Sequence, residues 1–119
     1  MAYEIEGIDG DVIRVRLSGV IHLADHQAIQ DVAKKLIDQG QKLRVLAITE
    51  NFAGWDKQDD WTDISFLVDY GDDIVKMAIV GPEAAKEDAF LFVGKGLRAT
   101  AIEFFPAEQL EQAEAWVRA

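Results

Sequence analysis

The sequence predicts an α/β domain in which a mixed, mostly parallel five-stranded sheet is flanked by helices, in the order ββαβαβαβα. Three observations carry that reading. Residues 3–17 alternate apolar and charged side chains as a hairpin does. Two short apolar runs, Val45–Ile48 and Met77–Val80, lack alternation, which suits strands covered on both faces. Helical periodicity fills much of the chain around them, as crossover connections require.

In the hairpin, Tyr3 and Ile5 alternate with Glu4 and Glu6, and Ile13, Val15 and Leu17 alternate with Arg14 and Arg16. Asp9-Gly10 marks the turn. A three-residue loop, Asp9-Gly10-Asp11, pairs Glu6 with Arg14, Ile5 with Val15 and Glu4 with Arg16, whereas a two-residue loop sets Glu6 against Ile13. The charges favour the three-residue loop. Gly19 then ends the hairpin, and a helix is expected from about Leu23, with Ile29, Val32, Ala33 and Leu36 on one face and Gly40 as its stop. Strands follow at 43–48 and 76–80. Pro82 fits the first turn of a third helix running through about Phe92, which Gly94 and Gly96 break. Ala101–Phe105 reads as a strand, and Pro106 opens a last helix with Leu110, Ala113, Trp116 and Val117 on its apolar face.

Between the two apolar runs the pattern changes. Residues 51–73 hold Phe52, Trp55, Trp61, Ile64, Phe66, Leu67, Val68 and Tyr70 among seven aspartates and a single lysine. Trp61, Ile64 and Val68 share a helical face, but Phe66, Leu67 and Tyr70 fall elsewhere. That is more apolar surface than one helix face can bury, and it suggests a lid over residues 55–70. Gly54 and Gly71 bracket the segment as hinge candidates. A second apolar patch, Phe90, Leu91 and Phe92 followed by Lys95 and Arg98, is a candidate membrane or partner contact. Exposed remainders of 52–70 and 90–92 would favour a homodimer.

Composition narrows the classes. A chain of 119 residues, 50% hydrophobic and 29% charged, fits one domain over 1–119. A formal charge of −10 opposes non-specific nucleic-acid binding and simple attraction to anionic membranes. The absence of cysteine excludes disulfides and thiolate chemistry. No apolar run approaches the roughly 20 residues needed to span a bilayer, and the first residues lack signal-peptide features, so a cytoplasmic location is expected.

Catalytic motifs are not found. His22 and His26 lie four apart beside Asp25, but no third metal ligand follows from spacing. Asp56, Asp59, Asp60 and Asp63 lack the glycine and terminal glutamate of an EF-hand and read as a solvated helix start. Gly94-Lys95-Gly96 lacks both the first glycine and the Ser/Thr of a phosphate loop. Serine occurs only at Ser18 and Ser65, outside any nucleophile elbow. The expectation is no catalytic residue, metal or cofactor.

Several motifs in order resemble the SpoIIAA-like proteins: Gly54-Trp55, Asp60-Trp61-Thr62-Asp63-Ile64-Ser65-Phe66, Ala78-Ile79-Val80-Gly81, Glu103-Phe104-Phe105 and Ala113-Glu114-Ala115-Trp116-Val117. Gly19 ahead of a helix carrying Asp25, and the Leu43–Ile48 strand, agree. The resemblance implies a fold similar to the STAS domain of anti-sigma-factor antagonists and to the CRAL-TRIO lipid-binding domain. It also implies that Trp55–Tyr70 is a mobile element over a small-molecule site or against a membrane. STAS antagonists carry a regulatory serine in a turn that matches Glu50-Asn51-Phe52-Ala53-Gly54, where this chain has no serine or threonine. The first functional expectation is therefore a non-enzymatic module for a small apolar, amphipathic or lipid-like ligand, with Trp55, Trp61, Ile64, Phe66, Leu67 and Tyr70 facing it and reversible peripheral membrane contact. The alternative is a protein–protein regulatory module resembling an anti-sigma-factor antagonist.

Overall fold

The computed structural model describes residues 3–56, 58, 70, 73–87 and 100–119. Five strands form one sheet whose spatial order is the chain order: β1 (Tyr3–Asp9), β2 (Val12–Ile21), β3 (Leu43–Trp55), β4 (Ile74–Val80) and β5 (Ala101–Phe105). The β1–β2 pair is antiparallel and the other three pairs are parallel. The mixed, mostly parallel five-stranded sheet is thus the one read from the hairpin and the two apolar runs.

The hairpin register differs from expectation near the turn. Glu4 faces Arg16 and Ile5 faces Val15, but Gly7, not Glu6, stands opposite Arg14. A bulge between Ile5 and Gly7 takes up one residue, and the turn shortens to Gly10-Asp11, with Gly10 at φ 62. The expected register holds at Glu4 and Ile5 and fails at Glu6, while the expected charge pairing is kept. From the bulge, Glu6 reaches both arginines, accepting from Arg14 Nε at 3.0 Å and Arg16 Nε at 2.9 Å. The Arg16 hydrogen bond first, then that of Arg14, hold its carboxyl below the usual carboxylate range.

Two helices are described in full. Helix α1 (Leu23–Asp38) lays Ile29, Ala33, Leu36 and Ile37 on Ile13, Val15, Leu43 and Ile74. Its start is fastened by the His22 N–H donating to the Asp25 carboxylate at 3.0 Å. Its end is a Schellman turn: Gly40, at φ 90, donates to Ile37 O and Gln41 donates to Leu36 O. On the opposite face, α2 (Leu110–Arg118) buries Ala113 and Val117 against Val12, Leu46, Ile48, Ala78 and Val80. Trp116 packs at the margin of this core, its ring 5.9 Å from that of Phe105. Neither proline opens an α-helix directly, as the sequence reading had them do. Pro82 and Pro106 are extended, with ψ near 150°, and each precedes one 3₁₀ turn, Glu83–Ala85 and Ala107–Gln109.

The strand bases are tied by polar contacts. Buried Thr100 donates to Ile74 O at 2.6 Å, which satisfies its hydroxyl in the core. Arg44 donates to Val117 O at 2.7 Å and Lys76 to Trp116 O at 3.1 Å, with Lys76 Nζ also 4.8 Å from the Trp116 ring centroid. Two cations thus satisfy carbonyls at the negative end of α2. Arg44→Ala is expected to lower stability by about 1–2 kcal/mol, read as a fall in the urea midpoint with an unchanged slope. An unaffected midpoint would show that the cap contributes nothing.

Candidate functional site

The carboxyl ends of parallel strands are where open α/β sheets present ligand crevices, and here that end is built from β2, β3, β4 and the start of α1. Strand β3 was expected to stop at Ile48 and β2 at Gly19. Instead β3 continues to Trp55 and β2 to Ile21, running together beyond the last β1 and β4 pairings, at Leu17 and Ile48. Two register shifts let β3 carry extra residues against β2, and Gly19, Asn51 and Gly54 take φ of 64°, 52° and 97° there. Asparagine and glycine are the residues that accept these angles most readily. The stretch 50–54, which the family comparison placed in a regulatory turn, is therefore bulged strand.

Thr49 lies in the strand just before it, and its hydroxyl donates to Val80 O at 2.7 Å where the β3–β4 ladder ends. Gly81 passes so close that a Cβ there would stand 2.2 Å from Thr49 Oγ1. The glycine is required by that approach, since its own φ lies outside the left-handed region.

Beyond β3, the Asp56 N–H donates to Ile21 O at 2.8 Å. The Asp56 carboxylate meets His22 Nδ1 at 2.9 Å and accepts from the Gln58 N–H at 2.9 Å. Asp25 is engaged by the His22 backbone, and His26 Nε2 lies 2.9 Å from the Gln30 amide. The two histidines thus serve separate local roles, and the described residues include no cluster of three metal-ligating side chains. Burial pushes His26 down to about 4, so it is neutral at physiological pH.

Most of the expected lid lies outside the described residues. Trp61, Ile64, Phe66, Leu67 and Gly71 are among those, as are Phe90, Leu91, Phe92, Lys95 and Arg98. Of the rest, Trp55 ends β3, Gly54 has the left-handed angle just noted, and Tyr70 is half-buried with Lys34 of α1 above its ring, 5.7 Å from the centroid. The His22–Asp56 pair and the Thr49 bond were missed by sequence reasoning, because each joins residues more than 30 apart and leaves no trace in local spacing. No described helix is long and apolar enough to cross a membrane.

A mixed, mostly parallel sheet with α1 on one face and α2 on the other defines an α/β domain with a STAS-like fold. The chain belongs to the SpoIIAA-like family, whose model matches residues 12–118. Among solved structures it is similar to an uncharacterised protein with a SpoIIAA-like fold from Shewanella loihica, at 18% identity and a TM-score of 0.72, covering 98% of this chain and 92% of that one. The unphosphorylated anti-sigma-factor antagonist SpoIIAA aligns at 16% identity and TM-score 0.60 over 99% of both chains. The phosphorylated form of the Bacillus cell-fate determinant SpoIIAA aligns at 15% identity and TM-score 0.56, over 93% of this chain and 97% of that one. No functionally curated protein matches the sequence.

Two predictions follow the geometry of this end. Gly81→Ala should cost about 1–3 kcal/mol, because Thr49 must rotate off Val80 to make room. In a Thr49→Ala background the same change should cost under about 0.5 kcal/mol, a coupling that a double-mutant cycle measures directly. His26 has a folded-state pKa of about 4, below its ordinary 6.5, so the unfolded chain takes up the proton first. Its contribution is fully present above pH 6.5 and is lost as pH falls toward 4. The wild type should therefore lose more stability than His26→Gln across that interval; parallel curves would refute the assignment.

Proposed function

We propose that the protein is a non-enzymatic protein–protein regulatory module which, unlike a phosphorylation-switched antagonist, works without modification of residues 49–54. The observation that carries this reading is the end-to-end likeness of fold to an anti-sigma-factor antagonist. The arrangement at the carboxyl end supports it. The hydroxyl nearest the matching stretch, Thr49, is spent on Val80 O, and residues 50–54 are committed to pairing with β2. Asp25, Asp56, His22 and His26 are likewise engaged in contacts that hold elements together. Such a surface can recognise a partner, but it presents no described nucleophile–base pair for chemistry.

The small-ligand and membrane reading depends on side chains at 61–67, outside the described residues, and one experiment separates it from the regulatory one. Native mass spectrometry of the protein isolated from its own cells, before and after lipid extraction, is expected to show a second polypeptide in fixed stoichiometry that survives extraction. A small-molecule mass lost on extraction, with no polypeptide partner, would replace this reading by ligand binding. Phosphopeptide mapping of the same material should find Thr49 unmodified.

A further inference from the structure

We draw no further inference here: the strongest candidate, the groove of about 140 Å³ between the β1–β2 turn and the last turn of α2, carries nothing, because its rim charges Asp9, Arg14, Glu114 and Arg118 already pair with one another and nothing in the structure shows what covers it.

Discussion

Among the described residues, one helix packs on the face of the five-stranded sheet opposite α1. Five strands at the usual spacing span roughly 19 Å, and a helix with its side chains is roughly 10 Å across. Helix α2 spends that width over β3 and β4, on Leu46, Ile48, Ala78 and Val80. Over β1 and β2, the described side chains of that face include charged ones. Arg14 and Arg16 of β2, which share a face with Val12, are joined to Glu6, Glu50 and Glu114. Exposed ion pairs of this kind stabilise little, typically under about 1 kcal/mol each. Their effect is to keep a wide sheet face wet without leaving unpaired charge on it.

What the sequence made legible was whatever repeats at short range. The runs Val45–Ile48 and Met77–Val80, the periodicity of Ile29, Ala33 and Leu36, and the Gly40 stop all recur in the structure because local pattern and burial agree. The failures came where strands are irregular. The bulge at Glu6 changes register without changing composition, and its one local sign was Gly7 inside an alternating strand. The continuation of β3 past Ile48 was hidden in the same way: left-handed Asn51 and Gly54 break the alternation and mimic a loop. Long-range polar contacts, such as Arg44 with Val117, had no sequence signature at all.

The candidate site shows a further limit of pattern reading. The family resemblance matches 50–54 to the antagonist turn, and this chain has no serine or threonine there. It did not foresee that β3 would go on pairing with β2 through this stretch by way of two bulges. Nor did it foresee that Thr49 would close the ladder next to a glycine admitted for close approach. A family likeness carried by apolar strands transfers the core well. It transfers strand ends poorly, because there a residue or two of bulge decides which groups meet solvent.

The identity of spatial and chain order in the sheet bears on how the molecule assembles. Every strand pairs with its immediate predecessor, so none has to be threaded between two partners already in place. As the polypeptide leaves the ribosome, β1 and β2 can join first, and each later strand can dock on a growing open edge. Helix α2 is the exception. Emerging after every strand, it turns back across the sheet to β3 and β4, where Arg44 donates to its Val117 carbonyl over a separation of 73 residues. Closure of that long loop is the entropically expensive step. It makes α2 a latch on a sheet that could already be assembled.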